Sequence, residues 1–226
     1  MLLRSYLLLL LICFLTGGAM AQRRAPQSEI IALPKPALTG STSLEQLLAK
    51  RRSIREYPAT TLKLAEIGQL LWAAQGITHP HGYRTAPSAG ALYPLQLYLV
   101  VGTVQDLVPA VYGYDPDRHY LVLMQGGDRR SLLTSATFGQ DWLVNAAAIV
   151  VFAADYKRTT RKYGERDKRY VHIEAGHVAE NLFLQANALD LTTVIVGAFD
   201  DEEVANVLRL PMQEQPLILM PIGRQQ

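Results

Sequence analysis

The nine residues AAAIVVFAA, 146–154, constrain the fold more than any other stretch of the chain. The run is apolar and β-branched at its centre, which is the pattern of a central strand buried on both faces. Such a strand needs strands beside it and a covering layer on each side. LQLYLVV, LTTVIVG and PLILMPIG read as further buried strands, and AVYGYD and RHYLVLM flank Asp115-Pro116-Asp117 as the arms of a hairpin. Covering helices are also legible. Leu64, Ile67, Leu70, Leu71 and Ala74 recur at spacings of three and four, with a stop near Gly76. An earlier helix starts at Thr42, paired with Glu45 as a capping box, and ends at Arg51 and Arg52. Residues 129–143 read as mostly helical, and Asp200 with Glu203 caps a short helix through Leu208.

The longest predicted helix carries two stripes. One holds Ile173, Gly176, His177, Glu180, Phe183, Leu184 and Asn187, the other Ala175, Ala179, Leu182, Ala186 and Leu189, so little of it is purely solvent-facing. The charged stretch YKRTTRKYGERDKRY before it reads as a solvated excursion. The alternation of helices and strands predicts a single α+β or mixed α/β layered domain over 42–226, preceded by an irregular arm, 22–41, punctuated by Pro26, Pro34 and Pro36.

The first 21 residues have the form of an export signal: one arginine, an apolar run from Tyr6 to Leu15 and the small-residue site Ala19-Met20-Ala21. The run falls short of the roughly 20 residues that span a bilayer. The expectation is a cleaved signal, a periplasmic or extracellular location and no membrane span in the mature form. The only cysteine, Cys13, lies inside that signal, so the mature chain has neither disulfides nor thiolate chemistry. A formal charge of only +2 argues against a general nucleic-acid binder.

One segment concentrates positive charge. RRSIREY, 51–57, places Arg51, Arg52 and Arg55 around Ser53, a set able to hold a phosphate through bidentate guanidinium contacts and a hydroxyl. The competing reading is a helix C-terminus that prefers cations. There is no GxGxxG and no GxxxxGK[ST], so side chains would have to hold such a phosphate. No metal-ligand cluster surrounds His79 and His81, His172 and His177 are poorly spaced to share a metal, and Ser88 lacks a nucleophile elbow.

Taken in order, RRSIREY, LLWAAQGI, RTAPSAGALYPLQLYLVV, VYGYDPDRHYLVLM, HIEAGHVAENLFLQANALDL, TVIVGAF and PLILMPIG resemble the nitroreductase-like flavoproteins over about 43–224. The nearest branch in this resemblance is the SagB-type dehydrogenases, which oxidise thiazoline and oxazoline rings in peptides. The resemblance implies an α+β fold with a central mixed, mostly antiparallel sheet flanked by helices, in an intertwined homodimer with FMN at the subunit boundary. It implies that Arg51 and Ser53 hold the phosphate or ribityl chain, that Arg52 lies nearby, and that Arg224 approaches the phosphate. Pro87, Ser88, Ala89, Gly90 and Leu92 then form a loop laid against the partner's flavin. Val194, Ile195, Val196 and Gly197 follow the flavin edge, with an amide near Val196 aimed at N5. Lys162 and Tyr163 correspond to a base and positioning pair. The implied chemistry is two-step hydride exchange between a donor such as NAD(P)H and a flat substrate: a nitroaromatic, a quinone or an azoline-like ring in a modified peptide. A non-catalytic flavin or small-ligand binder of the same fold is the alternative.

Overall fold

The computed structural model describes residues 30–224; the expected export signal, its cleavage site and the start of the arm lie outside them. Seven strands form one sheet in the order β1-β4-β3-β2-β5-β7-β6. At its centre is β5, Ala148–Ala154, all seven residues of which are buried, as the apolar run requires. It is flanked by β2, Leu95–Val101, and β7, Gln215–Arg224. Beyond β2 come β3, Ala110–Asp115, and β4, Tyr120–Gly126, joined by the turn at Asp115-Pro116-Asp117. Every strand pair is antiparallel, which corrects the expectation of a mixed sheet. The one parallel contact among the described residues is an isolated bridge, Leu62 to Val104.

The two-residue period of β5 divides the core. Ala148, Val150 and Phe152 point into a layer with Leu70 and Leu71 of α2, Leu64–Gln75, and with Val178 and Leu182 of α5, Asp167–Ala188. Ile149, Val151 and Ala153 point the other way, to Leu133 of α3, Arg130–Ser135, and to Val204 and Leu208 of α6, Asp201–Leu208. Full burial of each Val, Ile or Phe contributes about 1.5–3 kcal/mol, so this strand anchors both layers.

Several local expectations change. The arm is not wholly irregular: β1, Ile30–Ala32, pairs with β4, because the edge of the hairpin offers it free backbone groups. The cap of α1, Leu44–Lys50, is Ser43 rather than Thr42, its hydroxyl accepting from the Gln46 amide at 3.3 Å. Adjacent hydroxyl residues offered two registers, and the backbone uses the second. Residues 129–143 divide into α3 and a 3-10 turn, Asp141–Asn145. The charged stretch is helical, forming α4, Lys157–Tyr163, and the start of α5; its charges face outward while Thr159 is buried. The predicted strand at 191–197 shrinks to β6, Leu191–Thr192, followed by a single bridge from Val196 to Leu219.

One long-range crossing positions the site. The Ile54 amide donates to the Thr193 carbonyl at 3.1 Å, and a Cβ added to Gly223 would lie 2.6 Å from the Tyr57 ring. The segment after α1 therefore runs tight against the C-terminal ends of β6 and β7.

Candidate active site

Arg51 closes α1 with its amide bonded to the Leu47 carbonyl, and its guanidinium lies 5.0 Å over the Phe183 ring and 3.8 Å from Glu180, both on α5. Arg52 turns back instead. Its guanidinium donates to the Ala49 and Arg51 carbonyls at 3.1 and 2.7 Å, so it serves the negative end of its own helix. Ser53 is exposed and lines a cavity of about 700 Å³ with Arg55, Tyr57, Trp142 and Asn145. Arg224 reaches the same end of the sheet as the register partner of Leu191, but its guanidinium donates to Glu66 at 2.7 Å. Backbone pairing thus gathers the Arg51 and Arg224 segments, while each guanidinium has its own carboxylate.

The 194–197 segment presents alternate faces. Val196 exchanges two 2.9 Å hydrogen bonds with Leu219, so its own amide is committed to the sheet. The amides near Val196 that have no partner among the described residues are those of Ile195 and Gly197. Val194 is buried, Ile195 is 44% exposed, and a Cβ on Gly197 would meet nothing within 4 Å. The hydroxyls of Thr192 and Thr193, just before, are buried without a partner among the described residues.

The third part is the loop from Arg84 to Tyr93. Pro87 is exposed, Ser88, Ala89 and Leu92 are partly buried, and Gly90, Ala91 and Tyr93 all take positive φ, 62°, 54° and 47°. A Cβ on Gly90 would stand 2.8 Å from both Lys162 Nζ and Tyr163 Oη. The Lys-Tyr pair, far away in sequence, is therefore seated on this glycine, with the Tyr163 ring 4.7 Å from that of Tyr170.

Beneath the loop lies a polar cluster that sequence patterning did not single out. Glu174 of α5 is 2% exposed, faces the Ser88 side and accepts a hydrogen bond from the Gln75 side-chain amide at 3.5 Å. Gln75 accepts from Arg84 at 2.7 Å, and the Arg84 guanidinium packs 4.5 Å over the Tyr93 ring. Burial pushes the Glu174 carboxyl up from its ordinary value, and burial pulls the Arg84 guanidinium down. The available signal was a glutamate inside the inward stripe Val171, Ala175, Val178, where periodicity calls for an apolar residue.

No hydrogen bond or ion pair among the described residues joins the loop group to the arginine group within one chain. They share α5, touching it at Glu174 and Glu180, roughly 9 Å apart along its axis. His172 is bonded to the Tyr156 hydroxyl at 2.9 Å, His177 is exposed, and no group of three potential metal ligands occurs among the described residues.

The architecture, a fully antiparallel sheet with a long covering helix and three partly exposed segments at its margins, defines a known structural class. A crystal structure from Ralstonia eutropha, described as a candidate nitroreductase, superposes with a TM-score of 0.77 at 30% identity, covering 87% of this chain and 90% of that one. A candidate nitroreductase from Anabaena variabilis gives 0.78 at 28% identity over 89% of this chain, which spans only 42% of that longer protein. A candidate nitroreductase of Methanocaldococcus jannaschii is 46% identical over 181 residues, 80% of this chain and 90% of its own length. The sequence profile of the nitroreductase family matches residues 48–224. The chain belongs to the nitroreductase family, and with it to the FMN-dependent oxidoreductases as a class. At 22% identity and a TM-score of 0.68, the Escherichia coli microcin synthetase complex McbBCD, solved with truncated pro-MccB17 bound, shares the fold over 86% of this chain.

Proposed function

We propose that the protein is an exported, homodimeric FMN-dependent oxidoreductase that exchanges hydride between a donor such as NAD(P)H and a flat organic substrate. The observation that carries this reading is the edge at Ile195 and Gly197: two amides without partners among the described residues and open space over the glycine, beside the arginine-bearing segment tied down by Ile54 and Thr193. The residues fit the cofactor. Arg51 and Arg224 supply charge for a phosphate, Ser53 a hydroxyl, and the free edge amides donors for a ring edge. When bound, FMN supplies hydride acceptance and return, while the chain supplies orientation and electrostatics.

The homodimer rests on surfaces that one chain leaves open. α1 has no buried residue, its Leu44 and Leu48 are exposed, and Ile173 on α5 is 50% exposed next to Gly176, where a Cβ would meet nothing. The second copy would bring its loop, Pro87 to Leu92, to the arginine group of the first. In that arrangement Lys162 and Tyr163, seated on Gly90, travel with the loop to the substrate face, where the amine and phenol can take and hold a proton. This placement favours substrates that lose a proton as they are oxidised, the azoline-like rings of modified peptides, over nitroaromatics and quinones, which need no base.

An absorbance spectrum with phosphate quantification on the exported fraction tests cofactor identity, and anaerobic stopped-flow with nicotinamide, quinone and nitroaromatic panels tests turnover. The expected protein is yellow and is reduced and reoxidised. A colourless protein that refuses added FMN overturns the proposal; a yellow one inert to every donor and acceptor is a binding protein.

A further inference from the structure

The densest exposed charge lies at the corner where α4 meets α5. Residues 157–169 hold seven lysines and arginines against Glu165 and Asp167. That is +5 in a chain whose total is +2, so everything else sums to −3. All seven cations are exposed, and none enters an ion pair among the described residues. Asp167 is occupied locally, accepting from the Thr160 hydroxyl and the Lys168 backbone amide. The corner also breaks the local rules for a helix. α4 starts without a side-chain cap or an acidic first turn, and Lys157 and Arg158 face the positive end of its dipole. Lys157 with Arg161, and Arg158 with Lys162, are like-charge pairs four apart, which repel on a helix surface. These four cations fall within an arc of about 140°, while Thr159 on the other side is buried. A merely solvated face gains nothing from one sign of charge packed this way, whereas a ligand of the opposite sign relieves the repulsion.

We propose that this corner docks an acidic stretch of the substrate polypeptide and so delivers the reacting ring to Lys162 and Tyr163. The delivery part rests on the proposed oxidoreductase reading; the docking part does not. The patch ends at the site: Lys162 and Tyr163 close α4, and both stand against Gly90, where an added Cβ would come within 2.8 Å of each. Spacing favours a polypeptide. Cations four apart on α4 lie about 6 Å apart along its axis, and alternate side chains of an extended peptide lie about 7 Å apart. Successive carboxylates on one face of such a peptide therefore meet Lys157 and Arg161, or Arg158 and Lys162. Exposed charge pairs act mainly through encounter and orientation, which suits a substrate that must leave after each turnover. A lipid surface fits less well. Residues 157–169 include no Leu, Ile, Val, Met, Phe or Trp, and the single aromatic, Tyr163, packs on Tyr170. A nucleic acid also fits less well, because Glu165 and Asp167 lie inside the patch and the rest of the chain is net negative.

The test uses purified full-length protein and short fluorescein-labelled peptides that alternate Gly with Glu, Gln or Lys, followed by fluorescence anisotropy. The Glu peptide is expected to bind roughly tenfold more tightly than the Gln peptide at low salt, with the Lys peptide weakest. The difference should collapse near 1 M salt, where the screening length falls to about 3 Å. Lys157→Gln, Arg161→Gln and Arg166→Gln together remove three charges outside the proton-transfer pair. This triple variant should keep the parental melting temperature and lose roughly tenfold in affinity for the Glu peptide. To connect docking to the reaction, a thiazoline-bearing peptide with alternate Glu residues and its Gln counterpart are turned over by FMN-loaded protein with a quinone acceptor. The ring loses a hydride and a proton, and the quinone gains both. KM in the parent should be roughly tenfold lower for the Glu peptide at equal kcat, and the triple variant should show no preference. Equal binding of Glu and Gln peptides or parental affinity in the triple variant overturns the docking surface. So does tighter binding of phosphatidylglycerol vesicles or of an oligonucleotide of equal charge. Docking without a KM preference overturns the delivery role. Should the protein take no FMN, the oxidoreductase reading fails by itself and the anisotropy data still decide the docking.

Discussion

Replacing Gly90 by alanine separates backbone strain from site disruption at one position. The residue sits at φ 62°, a region that costs an L-residue about 1–2 kcal/mol. At about 2–4 °C per kcal/mol for a chain of this size, the backbone part alone lowers the melting temperature by about 2–8 °C. The new Cβ would also stand 2.8 Å from Lys162 Nζ and Tyr163 Oη and 3.3 Å from Lys162 Cδ. These are outer atoms of side chains, so the contact is relieved by moving Lys162 and Tyr163 rather than by unfolding the loop. Turnover should therefore fall further than the stability change explains, while bound FMN remains near the parental level. The assay is a cycle: Gly90→Ala alone, Lys162→Ala with Tyr163→Phe, and the combination, each measured for melting temperature and kcat. The melting decrement from Gly90→Ala should persist in the combination, since φ is unchanged, whereas its effect on kcat should largely vanish. A Gly90→Ala protein with parental melting temperature and kcat refutes the reasoning, and so does an equal loss of kcat in both backgrounds.

Arg51→Ala should accelerate FMN loss on dilution, followed by flavin fluorescence, before it changes the rate of flavin reduction at saturating FMN; parental retention sinks the assignment of Arg51 to the phosphate. Asp128 titrates with the opposite sign to Glu174. Hydrogen bonds from Arg130 hold its carboxyl below the usual range, so the stability it contributes is present above the ordinary value of about 4 and is lost as pH falls through the lowered one. Melting curves between neutral and acidic pH should therefore fall less steeply for Asp128→Asn than for the parent, starting from a lower neutral value; parallel curves exclude this account.

Local chemistry made some features legible in the primary sequence. Continuous apolar runs required β5, β2 and β7 to be buried strands, spacings of three and four required α2, and the Asp200 side chain caps α6 by accepting from the Glu203 amide at 2.9 Å. These signals depend on neighbours within a few residues, so the order of elements carries them. The clustering of arginines at 51–57 was equally visible, but its meaning was not. Arg52 turns to its own helix carbonyls while Arg51 faces α5, and two adjacent arginines cannot be told apart without knowing where the next layer lies.

What the tertiary structure alone decided concerns pairings over long sequence separations. The order of the strands was not written in any one of them, since a strand buried on both faces can pair equally well with several neighbours. Only the bridge between Val196 and Leu219 shows which amides of the 194–197 segment are committed to the sheet and which are left without a partner among the described residues. Gly90 under Lys162 and Tyr163, and Glu174 beside Gln75, join residues more than 70 positions apart, and no periodicity reports such contacts. Hydrophobic pattern dictates which residues leave water. Which polar groups then meet depends on how whole layers pack, and that packing places the chemistry.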